Sequence, residues 1–333
     1  SSDGIALVFR LHKSTPWTLA QFVDNKMFDS RTAGMFSFFV DAQASMLIVG
    51  SRGSGKTSFL QAMMQEIPQN LRILVQEDTQ ELPVPTLKRL GLNIQRMKTR
   101  PPLGGVSETE VSAEDALRTA LRLGDSVLIV GEVRSTEARA LYEAMRVGAV
   151  GNVVMGTIHG ESAYSIWDRV VNDLEVPTTS FKATDFCIVG APIRFKGSIK
   201  RDRRIVEVTE VLKHWTSDPG KEDGFLNWEL FDANKDDLDL DEPLIKEKSE
   251  WVKKIKRTRG MSYEDIWNEI NARGKSKQYL VDVKNKLNLP NILEAEYSTR
   301  AHTKYLLLSE KHRELYGKVM HEQLLDEWGK WVN

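Results

Sequence analysis

The segment Gly50-Ser51-Arg52-Gly53-Ser54-Gly55-Lys56-Thr57 fits G-x-x-x-x-G-K-[ST]. It follows the apolar run Met46-Leu47-Ile48-Val49 and precedes the helix-permissive Phe59-Leu60-Gln61-Ala62-Met63-Met64. Strand, glycine-rich turn and helix in that order are what a phosphate-cradling loop requires. The glycines let the backbone turn tightly, so that successive N–H groups point inward, and the helix N-terminus adds partial positive charge. The pattern assigns Gly50, Ser51, Arg52, Gly53, Ser54, Gly55, Lys56, Thr57 and Ser58 to nucleotide binding. Lys56 is expected to reach the β- and γ-phosphates, and the Thr57 hydroxyl to ligate Mg²⁺.

Between residues 44 and 212 short β-branched runs alternate with helical patterns, which predicts an α/β domain with a mostly parallel, twisted sheet. The expected strands are Met46 to Val49, Ile73 to Gln76, Ser126 to Val130, Val153 to Thr157, Phe186 to Ala191 and Arg204 to Val211. One crossover helix is marked by the capping pattern at Ser112-Ala113-Glu114-Asp115 and the closing Gly124, another by Ala138, Leu141, Met145 and Gly148. Arg201-Asp202-Arg203-Arg204 reads as a hairpin turn that puts an antiparallel edge on the sheet. The turn-rich, charged stretch 216–224 reads as a boundary. Three regions follow: a connector at 1–15, an α/β domain at 16–215, and a linker with an α-helical C-terminal extension at 216–333. Trp228, Trp251, Trp267, Trp328 and Trp331 are expected to anchor a small helical subdomain docked on the domain before it. The acidic stretch Asp232 to Glu250 reads as a solvated loop or connector.

A phosphate loop does not say what is done with the nucleotide, so the other strand ends matter. In a doubly wound sheet, functional residues gather at the carboxyl ends of the strands. The second expected strand ends in Gln76-Glu77-Asp78-Thr79 and the third in Gly131-Glu132-Val133-Arg134. Glu77 is placed to orient or deprotonate an attacking water and Glu132 to hold Mg²⁺ through its hydration shell, with the reverse division of roles as the alternative. His159, flanked by Gly156 and Gly160 at the next strand end, reads as a γ-phosphate sensor.

Taken together, Gly50 to Thr57, Gln76-Glu77-Asp78-Thr79-Gln80-Glu81-Leu82, Val130-Gly131-Glu132-Val133-Arg134 and Gly156-Thr157-Ile158-His159-Gly160 resemble four boxes of one family. They are similar to the Walker A, Asp, Walker B and His boxes of the type II/type IV secretion ATPase superfamily, in matching order and spacing. The resemblance runs over about residues 5 to 213 and is closest in flavour to archaeal members that drive pilus or archaellum assembly. It implies a RecA-like P-loop NTPase core in a homo-hexameric, cytoplasmic motor, peripheral at the inner face of the cell membrane. Such a motor hydrolyses ATP with Mg²⁺ and pushes on a polytopic membrane platform protein. By the same resemblance Glu77 is the catalytic carboxylate, Glu132 the Walker B acid and His159 the histidine of its box. Arg100, Arg118, Arg122 and Arg134 match arginines of the family's pattern, expected to make contacts across the site or between subunits. Family members also carry an N-terminal domain that closes over the nucleotide; here only its connector is recognisable, around Ile5 to Arg10. The four-cysteine zinc motif of the bacterial type II branch is absent.

Composition limits the alternatives. The chain has 333 residues and a formal net charge of −1, so no global basic field argues for nucleic acid. A nucleic-acid-stimulated RecA-like ATPase and a nucleotide-gated scaffold without turnover remain the rival classes. Cys187 is the only cysteine, which excludes an intrachain disulfide and suits a reducing cytosol. No apolar run approaches the roughly 20 residues that span a bilayer. Ser1-Ser2-Asp3 lacks a start methionine and a basic, then apolar, leader, so the chain reads as an internal fragment.

Overall fold

Alternation along the first strand sets the layers of the molecule. In β1 (Ser45–Gly50), Met46 and Ile48 belong to the core on one face of the sheet and Leu47 and Val49 to the core on the other. A strand apolar on both sides belongs inside a sheet covered on both faces, and β1 lies between β5 and β6. The computed structural model describes residues 15–77, 79–98, 126–134, 137–147 and 153–333.

The remaining strands are β2 (Arg72–Glu77), β3 (Asn93–Lys98), β4 (Val127–Val130), β5 (Val154–Ile158), β6 (Phe186–Ile193), β7 (Asp202–Val211), β8 (Phe225–Asp232) and β9 (Asp237–Leu240). Their order across one sheet is β3-β2-β4-β5-β1-β6-β7-β8-β9. Neighbours from β3 to β6 pair in parallel and those from β6 to β9 antiparallel. The mostly parallel α/β core is therefore present, with a longer antiparallel wing than a single hairpin supplies. Among the helices, α1 (Leu19–Asp24), α2 (Ser30–Asp41) and α3 (Lys56–Met64) cover one face. The expected helix after Ser135 is observed as Glu137–Val147, whereas the one expected at 112–124 lies outside the described residues.

The stretch 216–224 is a reversal between two paired strands. Glu222 gathers it by accepting from the backbone N–H groups of Thr216, Ser217 and Asp218, and β7 and β8 then pair antiparallel. Turn chemistry marked a change of direction here, and the sheet runs through it. Likewise Asp232 to Glu250 contains β9 and the helix Glu242–Lys248, whose Ile245 is fully buried.

The tryptophans divide. Trp228, Trp251 and Trp267 lie in the same core as Phe39 and Phe186 of the sheet layer, and Trp328 lies in a separate cluster of the tail. Trp331 is 38% exposed. On β7 the buried Glu210 accepts from Trp228 Nε1 at 2.9 Å and from the Trp251 backbone N–H at 2.7 Å, tying the helix Glu250–Arg259 to the sheet. The helices after residue 260 pack back on the domain: Tyr263–Leu287 crosses α2 with Gly274 against Gly34.

A second buried acid makes stability depend on pH. Glu229 on β8 accepts from Thr32 Oγ1 at 2.9 and 3.0 Å and lies 3.5 Å from Arg31 Nη2. Burial pushes its pKa up from 4.5 to about 7, more than the Arg31 charge and the Thr32 hydroxyl pull it down. The folded chain thus keeps a proton that the unfolded chain has released, so this group's contribution to stability falls as pH rises from 4.5 through about 7. Glu229→Gln is expected to flatten that fall. Thermal unfolding of both proteins between those pH values checks it, and parallel curves contradict it.

Candidate functional site

Two glycines shape the loop after β1. Gly53 (φ +81°) and Gly55 (φ +98°) adopt the left-handed conformation, and Gly55 caps α3. Gly50 is required by close approach, since a Cβ there would stand 2.3 Å from Ser54 Oγ and 2.4 Å from the Gly190 carbonyl oxygen. Ser51, Arg52 and Gly53 are exposed, Ser54 is buried, and Gly55, Lys56, Thr57 and Ser58 are half-buried. Lys56 Nζ donates to the carbonyl oxygens of Gly50 at 2.8 Å and Ser51 at 3.0 Å. Arg203 of β7 donates from Nε to the Gly53 carbonyl at 2.8 Å, so the antiparallel wing touches the loop.

Parallel pairing brings the other strand ends to the same edge. Lys56 Nζ lies 3.4 Å from His159 Nδ1, and His159 Nε2 lies 3.1 Å from Glu132 Oε1. An ammonium group only donates, so Nδ1 is the acceptor and Nε2 carries the proton that faces Glu132. Burial, with Lys56 next, lowers the His159 pKa, which favours the neutral ring. Burial also lowers that of Lys56, against the pull of Glu132 and Glu81. For Glu132 burial acts upward, but the ion pair with Arg134 and the nearby His159 and Lys56 outweigh it and hold the carboxyl below its ordinary range. Thr157 Oγ1 donates to the Gly131 carbonyl at 2.5 Å and accepts Val133 N–H on its own carbonyl at 2.8 Å, which aligns the ends of β4 and β5.

Glu77 ends β2 with its side chain almost wholly buried. Oε1 accepts from the N–H groups of Glu81 at 3.0 Å and Leu82 at 2.8 Å, and Oε2 lies 3.5 Å from Arg96. Burial raises its pKa, opposed by those two backbone bonds and by Arg96. A Cβ at position 131 would stand 2.9 Å from Glu77 Cγ, so Gly131 lets the two strand ends close on one pocket, lined by Thr57, Glu77, Glu81 and Glu132 among others.

Three participants were not singled out from the sequence. Glu81 accepts from Thr57 Oγ1 at 3.1 Å, and Arg96 and Arg203 make the contacts above. The only sequence signal for Glu81 is a second acid four residues after Glu77; Arg203 falls in the run read as a hairpin turn but lies in β7, and its contact with the loop spans 150 positions. Arg100, Arg118 and Arg122 lie outside the described residues. Among the described residues no cluster of three His, Cys, Asp or Glu side chains holds a metal by itself. An oxygen-only set of Thr57, Glu81 and Glu132 around the loop fits Mg²⁺, which takes few protein ligands and completes its shell with water and phosphate.

Comparison with known proteins places the chain in a family. The family model described as Type II/IV secretion system protein matches residues 1–189. The uncharacterized protein MJ1287 of Methanocaldococcus jannaschii is 28% identical over 246 residues, 74% of this chain and 84% of that protein. MJ0781 of the same organism is 30% identical over 205 residues, 60% of this chain but only 26% of its own length. The type IV secretion system protein VirB11 of Bartonella quintana is 28% identical over 131 residues, 39% of this chain and 34% of that protein. The chain thus spans well under two thirds of two of these three relatives.

Proposed function

Since this chain belongs to the type II/IV secretion system protein family, we propose that it is the ATP-hydrolysing subunit of a motor that powers secretion or the assembly of a pilus-like filament. The observation that carries this reading is the contact chain from Lys56 through His159 to Glu132, at 3.4 and 3.1 Å, beside a glycine cradle. It joins the residue that meets the terminal phosphates to the acid beside the reaction. Arrival of a γ-phosphate draws Lys56 off the Gly50 and Ser51 carbonyls, and His159 then senses the change through its lost acceptor contact.

Glu77 acts on the attacking water. Burial raises its proton affinity against two backbone bonds and Arg96, the direction in which a general base is tuned. Glu132, kept ionised, and the Thr57 hydroxyl would hold Mg²⁺, which supplies charge neutralisation on the β- and γ-phosphates. Arg134 beside Glu132, together with Arg100, Arg118 and Arg122, supplies charge across the site or between subunits of a hexamer. The motor works against a polytopic platform protein at the inner face of the membrane. No helix among the described residues is long and apolar enough to cross a membrane itself.

The test is ATP turnover with and without Mg²⁺, beside ADP binding, in the wild type and Glu132→Gln. The variant is expected to bind ADP and to lose turnover about a hundredfold or more, the scale of removing one preorganised charge. A wild type that binds without turnover identifies a nucleotide-gated scaffold. Stimulation by single-stranded DNA but not by platform protein identifies a nucleic-acid translocase.

A further inference from the structure

The helix that starts at the phosphate loop is gripped at its far end by the C-terminal tail. Helix α3 opens with Lys56 and Thr57 and closes at Met64, and Gln65 and Glu66 follow directly. Glu66 is 3% exposed and faces two tail residues. Lys277 Nζ donates to its Oε1 at 2.6 Å, and His302 Nδ1 lies 3.0 Å from its Oε2. His302 Nε2 is also 3.1 Å from the Glu66 backbone carbonyl, and Thr299 Oγ1 donates to Gln65 Oε1 at 3.1 Å. Lys277, Thr299 and His302 are 3%, 2% and 6% exposed. All three lie beyond residues 1–189, the span the family model matches.

Such a cluster is an expensive way to hold two layers together. Burying ions costs several kcal/mol each before their attraction returns it, and apolar side chains of similar volume commonly hold a fold as well or better. What directional, charge-assisted bonds supply is register, because they fix one axial position and rotation where apolar packing allows sliding. A nine-residue helix is stiff, so its far end sets where its first turn sits. The first turn carries Lys56 and Thr57, whose partners His159 and Glu81 come from other elements at 3.4 and 3.1 Å.

We propose that Glu66, Lys277, Thr299 and His302 are positioning residues through which the tail sets the register of the phosphate-loop helix, and with it the affinity for nucleoside di- and triphosphates. The proposal rests on the nucleotide-binding reading above. It makes the tail a part of the nucleotide site at one remove, in a region the family match does not cover.

The test uses the whole chain and ADP binding by calorimetry, with thermal unfolding measured in parallel. The apolar variant Glu66→Leu, Lys277→Met, His302→Leu is expected to keep its unfolding temperature within a few degrees, yet to bind ADP about fivefold or more weakly, the lower end of coupling between sites. A purely structural cluster predicts unchanged affinity once stability is kept, and that result overturns the proposal. If this variant does not fold, Thr299→Val decides instead, since it keeps the shape and removes one bond to Gln65. It is expected to weaken ADP about twofold or more, and unchanged affinity again overturns the proposal. Leu324→Ala is the control, because it loosens the tail's own core without touching the clamp. It is expected to lower the unfolding temperature and leave ADP affinity alone; an equal loss of affinity there overturns the proposal too. A wild type that binds no ADP at all sinks the nucleotide reading itself, which separates the two failures.

Discussion

Replacing Lys56 by alanine is expected to reduce ATP turnover to background while leaving the fold as stable as before. The loop's backbone and the α3 terminus offer only partial charges, whereas Lys56 brings a full one to the terminal phosphates. Loss of one such preorganised group costs about 3–4 kcal/mol at the transition state, or roughly a hundred- to a thousandfold in rate. Stability moves the other way. Burial lowers the pKa of Lys56, which means its charge is held at some cost in the protein without nucleotide. Of the two carbonyls it bonds, that of Ser51 is exposed and water can serve it, so only the bond to the buried Gly50 is lost without a ready replacement. The alanine variant therefore keeps or slightly raises its unfolding temperature. Phosphate release and thermal unfolding on one preparation check both halves; undiminished turnover would remove Lys56 from the site.

That separation of function from stability mirrors what the sequence made legible. The phosphate loop and the strand ends at Glu77, Glu132 and His159 were readable because each depends on local order: a fixed spacing, period-two apolar runs, and the rule that chemistry gathers at carboxyl strand ends. Strand β3 was not, because Asn93-Ile94-Gln95-Arg96-Met97-Lys98 is an edge strand with a largely polar face, and its alternation is weak. The acids of residues 232–250 suggested a solvated connector, yet Asp241 caps a helix by accepting from Leu244 N–H at 3.1 Å. Acidic composition reports both exposed loops and caps, and only the partner distinguishes them. Contacts that join distant positions leave no periodic trace at all. Glu66 and Lys277 are 211 residues apart, and neither stands out in its own neighbourhood.

The docking of the tail gives the second large effect. Gly34 of α2 lies against the helix Tyr263–Leu287 so closely that a Cβ on it would stand 2.1 Å from the Ile270 carbonyl oxygen and 2.5 Å from the Gly274 nitrogen. A Cβ on Gly274 would in turn stand 2.5 Å from the Ser30 carbonyl oxygen. Both obstacles are backbone, which cannot rotate aside, so the helices must separate. Gly→Ala inside a helix ordinarily stabilises by roughly 0.5–1 kcal/mol. At Gly34 that gain is outweighed by overpacking, which costs about 1–3 kcal/mol where side chains can yield and more where backbones meet. Separation would also pull the buried Arg273 away from α2, where it donates to Ser37 Oγ at 3.1 Å and pairs with Asp41 at 3.6 Å. A buried pair pulled from its geometry is a further loss of about 3–5 kcal/mol if it breaks. Gly34→Ala is therefore expected to destabilise the protein by about 3 kcal/mol or more and to detach the tail before the sheet melts. Gly329→Ala supplies the contrast, because its Cβ would meet the Tyr279 ring at 3.5 Å, an ordinary contact, so it should be neutral or mildly stabilising. Denaturant unfolding of the two variants, read by tryptophan fluorescence, checks the pair. Equal midpoints would mean that the two helices do not cross at Gly34 and Gly274 in solution.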